Sequence, residues 1–209
     1  MYIPKEFMVS DQQEVLSFLE QNALGIVIVS SGLADPLASH IPFTAKAEAG
    51  EIVLEGHISR ANEQAEHLRK GKTVLVIFQG PNAYISSSVY THTNVPTWNY
   101  QAVHVYGTVE PMETPELVKH LTESVSHFES HRHSRLSFED FPPGMIEDYL
   151  KGICGIRIRA YKTEAAYKMS QNRNAEDYGN IVSDLSGSSS AKDNKTGLAM
   201  KAISNHKKR

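Results

Sequence analysis

Hydrophobic and polar positions alternate most clearly between Thr97 and Glu110, TWNYQAVHVYGTVE. Val103, Val105 and Val109 fall on one side of an extended chain, and Tyr100, Ala102, His104 and Tyr106 on the other. The pattern predicts a long strand with two different faces. The aliphatic face suits a core, while the face of rings and imidazole suits a ligand or a second subunit. Just upstream, Thr73–Phe78 is an apolar run rich in β-branched residues and closed by Gly80-Pro81, which predicts a strand buried on both faces. Asn82–Ser88 reads as a separate, more polar strand. These mid-chain strands are the elements around which the others are expected to pack.

The remaining pattern supplies flanking elements. Ser10-Asp11-Gln12-Gln13 matches a capping box, with Ser10 as N-cap, and an amphipathic helix behind it ends at Gly25. Gly25–Ser30, Leu37–Phe43 and Ile52–Ile58 read as strands, with turns at Gly32–Pro36 and Glu48–Glu51. Their spacing of about a dozen residues argues for an antiparallel meander. A helix is expected over Ala61–Arg69. Thr114-Pro115-Glu116 starts another, whose buried face is expected from Leu117, Val118, Leu121, Val125 and Phe128. Ile153–Ala160 alternates as a last strand, Cys154, Ile156 and Ile158 inward and Arg157 and Arg159 outward. A donor-rich loop, Tyr167–Arg173, precedes a helix at Ala175–Leu185. Gly187–Gly197 has linker composition, and Leu198–Arg209 is expected to be a short helix ending in Lys207-Lys208-Arg209.

Composition narrows the class without naming a function. The 209 residues are 40% hydrophobic and 22% charged, ordinary for one globular domain. A net charge of −3 gives no whole-molecule attraction to nucleic acid or anionic membrane. The single cysteine, Cys154, leaves no internal disulfide. No apolar run approaches the ~18 residues of a membrane span, and the N-terminal residues lack the apolar stretch of a signal peptide. A soluble cytoplasmic protein is expected.

Candidate chemistry concentrates at Gly56–Gln64, where a strand gives way to the expected helix beside Arg60. A helix N-terminus presents unpaired N–H groups, and a guanidinium adds planar donors, so a phosphate could be held there. His127, His131 and His133 lie near Glu123 and Glu129, but no second cluster with ligand spacing accompanies them, and no metal site is expected. Cys154 faces an apolar side. The chain contains no nucleophile elbow, no phosphate-cradling Gly-rich loop and no recognisable helix-turn-helix.

Phe78–Ser86 (FQGPNAYIS), Val95–Gly107 (VPTWNYQAVHVYG), Gly56–Asn62 (GHISRAN) and Lys168–Arg173 (KMSQNR) resemble the signature blocks of the PaiB family. MYIPKEF at the start and SHIPF at Ser39–Phe43 are similar as well. The family's members are FMN-binding split β-barrels known as negative transcriptional regulators, in bacilli of protease production and sporulation. The resemblance implies a mainly β, α+β fold: a six-stranded antiparallel split β-barrel with flanking helices over 1–185, followed by a flexible basic tail over 186–209. It also implies a homodimer with FMN at the subunit interface, and a DNA or regulatory-protein partner. By the same resemblance Ser59, Arg60 and Asn62 bind the phosphate, and Phe78 and Gln79 lie beside the ribityl chain or ring. Thr97, Trp98 and Asn99 line the pocket, and Lys168, Ser170, Gln171 and Arg173 reach over the flavin. No catalytic residue is implied. Flavin-dependent oxidoreductases share this fold, as do haem-binding barrels, in which His40, His57 or His104 would be axial ligands. Two departures stand out, Ser87–Tyr90 after the AYIS block and Tyr167 where many members carry tryptophan.

Overall fold

A computed structural model describes the chain except for residues 31–34, 131, 133–135, 143 and 207–209, and the side chains of 204–206. Most of the expected Gly32–Pro36 turn, His131 and His133, and the terminal Lys207-Lys208-Arg209 therefore lie outside the described residues.

Among the described residues eight strands form one sheet: β1 (Met8–Val9), β2 (Leu24–Ser30), β3 (Pro36–Pro42), β4 (Thr44–Glu48), β5 (Glu51–Ser59), β6 (Thr73–Ile85), β7 (Thr97–Pro111) and β8 (Ile153–Lys168). Their order is β3-β2-β6-β7-β8-β5-β4, with β1 paired to β8. The pairs β2–β3, β2–β6, β4–β5, β5–β8 and β1–β8 are antiparallel. The helices are α1 (Gln12–Gln21), α2 (Thr114–Glu129), α3 (Met145–Gly152), α4 (Ala175–Gly187) and α5 (Ala191–His206).

The described residues fall into two compact units. One contains 1–15, 79–103 and 164–209; the other contains 16–78 and 104–163. Strands β6, β7 and β8 each contribute a segment to both.

β7 carries the expected alternation along its whole length. Val103, Val105 and Val109 are fully buried, and Tyr100, Ala102, His104 and Tyr106 are half-buried. The aliphatic side continues through Asn99 and Gln101, which are buried although polar. Gly107 is required by close approach, since a Cβ there would lie 2.5 Å from the Arg159 carbonyl oxygen on β8.

Several local expectations change. Gly80-Pro81 does not end a strand; Thr73–Ile85 is continuous. The reason is visible in the register: β2 pairs with β6 only at Leu75–Ile77, so Pro81 interrupts no ladder with β2. β4 was not anticipated, because its polar TAKAE sequence alternates Ala with Lys rather than with large apolar residues. Asp11, not Ser10, caps α1, accepting from Glu14 N–H at 2.8 Å. The cap of α2 shifts one residue earlier, to Glu113 in a box with Glu116. On α2 the buried positions are Leu117 and His120, whereas Phe128 is exposed. The segment expected as a linker is helical from Ala191, and Thr196 and Met200 of α5 are fully buried.

Candidate functional site

In the unit of 16–78 and 104–163, the chain leaves β5 through a turn that its own side chains lock. Ser59 Oγ accepts from Ala61 N–H at 3.2 Å, and Asn62 Oδ1 accepts from Gln64 N–H at 2.9 Å. Asn62 Nδ2 donates to Ser39 Oγ at 3.0 Å on β3. Gln64, only 1% exposed, donates through Nε2 to the carbonyls of Val27 (2.9 Å) and Leu37 (3.1 Å), anchoring the turn to β2 and β3. The Arg60 N–H donates to the Gly152 carbonyl at 2.9 Å.

The helix expected at Ala61–Arg69 is a single 3-10 turn, Glu63–Glu66. It is too short to carry the dipole on which a helix-terminus phosphate site depends. Ser59 and Asn62 are committed to the turn itself. What remains for a ligand is the exposed Arg60 side chain, which has no ion pair among the described residues. A fixed backbone presenting one uncommitted guanidinium is a fit for an anionic group. Phe78 belongs to the same unit but is wholly buried, its ring edge-on to Phe43 at 6.0 Å. It packs the core and offers no open wall.

In the unit of 1–15, 79–103 and 164–209, the end of β8 meets the start of β7. Lys168 Nζ donates to Thr97 Oγ1 and, at 2.9 Å, to the Trp98 carbonyl. Partial burial lowers the Lys168 ammonium below its ordinary value, and the nearby Arg173 charge adds to this. Asn99 and Ser170, both buried, are hydrogen-bonded side chain to side chain at 3.0 Å, and Ser170 has φ 60°. Gln171 folds back on its own loop, accepting from Met169 N–H at 2.6 Å and donating to the Tyr167 carbonyl. The Arg173 guanidinium lies 4.9 Å from the ring centroid of Tyr90, whose hydroxyl is buried with no partner among the described residues. Trp98, 47% exposed, tilts toward Tyr84 with 5.9 Å between centroids. Gln79 is exposed on β6. Cations, a half-open indole and an orphaned hydroxyl suit a flat, anionic, polar-edged ligand.

Three features of this unit were not anticipated from sequence. Asp177, fully buried, accepts from Thr91 N–H (2.8 Å), Thr91 Oγ1 (3.0 Å) and Asn174 Nδ2 (2.9 Å), and lies 3.4 Å from His92 Nδ1. Chiefly the Thr91 backbone donor holds its carboxyl below the usual range. Lys192 Nζ stands 5.6 Å from the Trp98 ring centroid, and Met200 Sδ lies 3.5 Å from Asn99 Nδ2. An acid in the first turn of α4 signalled a cap but not its tie to Thr91. Nothing in the sequence linked α5 to Trp98.

Among the described residues no group of three or more His, Cys, Asp or Glu could hold a metal ion. No helix of the described residues is long and apolar enough to cross a membrane.

Residues 1–162 match the family described as "Putative FMN-binding domain". The chain is also 41% identical over 185 residues to "Protease synthase and sporulation protein PAI 2" of Bacillus subtilis, covering 88% of this chain and 89% of that protein. The chain belongs to the PaiB family. Two solved structures show how such a chain folds. The flavocytochrome Anf3 of Azotobacter vinelandii aligns at TM-score 0.61 with 15% identity, over 85% of this chain and 78% of that one. A FAD and haem binding protein of Mycobacterium smegmatis aligns at TM-score 0.59 with 14% identity, over 82% and 78%. The chain therefore has the split β-barrel fold, and its sheet holds eight strands among the described residues rather than the six expected. The family match ends at residue 162, before Lys168–Arg173 and the two C-terminal helices.

Proposed function

We propose that this protein is a cytoplasmic, homodimeric member of the PaiB family that binds FMN non-covalently and acts as a negative transcriptional regulator. The observation that carries the cofactor is Arg60: an exposed guanidinium on a turn pinned by Ser59, Asn62 and Gln64, with no anion of its own among the described residues. FMN carries the phosphate dianion such a group would take, and its isoalloxazine is the flat, polar-edged ring that Trp98, Lys168 and Arg173 would suit. Ser59, Arg60 and Asn62 are assigned to the phosphate, Ser59 and Asn62 acting with Arg60 by shaping the turn. Thr97, Trp98 and Asn99 with Lys168, Ser170, Gln171 and Arg173 are assigned to the ring and ribityl chain. The regulatory role is supported by the name of the Bacillus subtilis relative. A DNA or protein partner would mediate it.

Titration with FMN, followed by the fluorescence of the single tryptophan, Trp98, tests the cofactor assignment. Arg60→Ala is expected to weaken FMN binding about tenfold or more, the loss of a charge-assisted contact of roughly 1.5–3 kcal/mol. Riboflavin, which lacks the phosphate, should bind both proteins equally. Equal FMN affinity in the two proteins would place the phosphate elsewhere.

One observation favours a second reading, an FMN-dependent oxidoreductase. Lys168 is a cation with lowered proton affinity, held by Thr97 Oγ1 and the Trp98 carbonyl. Bound flavin would supply the hydride chemistry, and this chain would supply position and charge. Steady NAD(P)H consumption that requires added FMN and falls in Lys168→Met would support it; its absence would leave the regulator reading.

A further inference from the structure

The C-terminal helix α5 docks in two places. Along α4 it packs through Gly197, where a Cβ would lie 2.9 Å from Ser186 Oγ, and Thr196 beside it is fully buried. Over the start of β7 it brings Lys192 to the face of Trp98 and Met200 to Asn99. Tyr178 Oη fixes the second contact by donating to the Met200 carbonyl at 2.7 Å. Met200 and Asn99 are both 0% exposed, and Ser170 beside them is 3% exposed.

Two properties bear on how firmly this docking holds. First, α5 has little stability of its own. Its sequence, AKDNKTGLAMKAISNH, places Gly197 in mid-helix and scatters its few apolar residues among polar ones. A helix of this length without strong propensity depends on tertiary contacts to persist. Second, the contact it makes with Asn99 is a poor one. The Asn99 amide is wholly buried, and among the described residues its N–H group meets, beyond Ser170, a thioether, which is a weak acceptor. A ligand carbonyl would satisfy that donor better than Met200 does.

We propose that α5 is an autoinhibitory cover on the Thr97–Asn99 and Ser170 wall, displaced when a flavin ring occupies it. This rests on the FMN reading given above and adds its regulation. The helix and the ligand compete for one surface, so the apparent affinity for FMN equals the intrinsic affinity multiplied by the fraction of chains with α5 undocked. Any partner or modification that draws α5 away would raise flavin occupancy without touching the pocket.

Two measurements on the full chain decide it. Met200→Asp puts a charge where the helix is buried and should undock it. FMN affinity should rise at least fivefold, and Trp98 should become more accessible to acrylamide quenching. In the wild type, hydrogen exchange read by mass spectrometry over 191–206 should accelerate when FMN is added, because bound ligand holds the cover off. Equal affinity in wild type and variant, or slower exchange of 191–206 with FMN, overturns the cover and leaves the flavin reading standing. Failure of both proteins to bind FMN overturns both. If Met200→Asp does not fold, as judged by far-ultraviolet circular dichroism, the exchange measurement on the wild type settles the question alone.

Discussion

Arg60 and Arg157 show how one side-chain type serves two purposes according to its partners. Arg60 has none among the described residues and is left for a ligand. Arg157 is paired twice: its Nε donates to Glu55 Oε1 and its Nη1 to Glu116 Oε1, both at 2.8 Å. Glu55 is only 4% exposed, and Lys46 Nζ approaches the same carboxylate at 3.1 Å. Burial pushes the Glu55 carboxyl up, but Arg157 and Lys46 together outweigh it and hold it below the usual range. Removing Arg157 would leave a buried carboxylate with a single cation. Arg157→Ala should therefore cost stability, about 3 kcal/mol by analogy with other broken buried pairs, in urea or thermal denaturation. FMN affinity should be little changed, because none of these groups belongs to the proposed pocket. Arg60→Ala should show the opposite pattern, with ligand affinity lost and stability kept. The two substitutions together separate binding from folding.

At the level of elements, the docking of α2 on β5 passes through two histidines. His57 on β5 and His120 on α2 stand 5.9 Å apart between ring centroids. Ser124 Oγ lies 3.4 Å from His120 Nδ1, and Glu55, Lys46 and Arg157 are the charged groups that act on His120. Burial pushes His120 down to about 4 from an ordinary 6.5, and the proximity of His57 adds to the shift. Burial alone depresses His57. Both rings are neutral in the folded protein at pH 7. The unfolded chain protonates His120 near pH 6.5 and the folded chain only at about pH 4, so stability falls as pH drops through that window, and the lowered His57 acts in the same direction. For His120 alone the loss reaches roughly 3 kcal/mol at the acid end. Thermal midpoints measured from pH 7.5 to pH 4 should decline steeply in the wild type and less steeply in His120→Gln. A flat wild-type profile would mean that the two rings do not resist protonation.

For the whole molecule, the proposed function depends on assembly. The half-buried face of β7, with Tyr100, His104 and Tyr106, is the surface the sequence offered to a ligand or a second subunit. Lys162 partly covers it, its Nζ 4.8 Å from the Tyr106 ring centroid. The homodimer we propose predicts twice the chain mass in sedimentation equilibrium at micromolar concentration, with or without FMN. A monomer under both conditions would remove the subunit interface from the proposal and leave each chain to hold flavin by itself.

The sequence by itself determined the strands whose side-chain alternation is strict and the blocks that mark the family. β7 was legible because a period of two over Thr97–Glu110 admits no other backbone, and β2 and β5 because each apolar run is bounded by a turn at one end. It also located the candidate site residues along the chain, since Arg60, Trp98 and Lys168 sit in its most distinctive segments. Tertiary structure decided what each of them can do. Phe78 looked like a pocket wall but is core, because its neighbours on the sheet enclose it. Ser59 and Asn62 looked like ligand donors but hold a turn, because the helix that would have freed them is one 3-10 turn long. Gly187–Gly197 had the composition of a linker, yet from Ala191 it belongs to a helix whose buried Met200 meets Asn99 about a hundred positions away in sequence. Local propensity reports the backbone that a segment prefers alone. Which face is covered, and which donor is left without a partner, depends on contacts between residues far apart in the chain, and those exist only once it has folded.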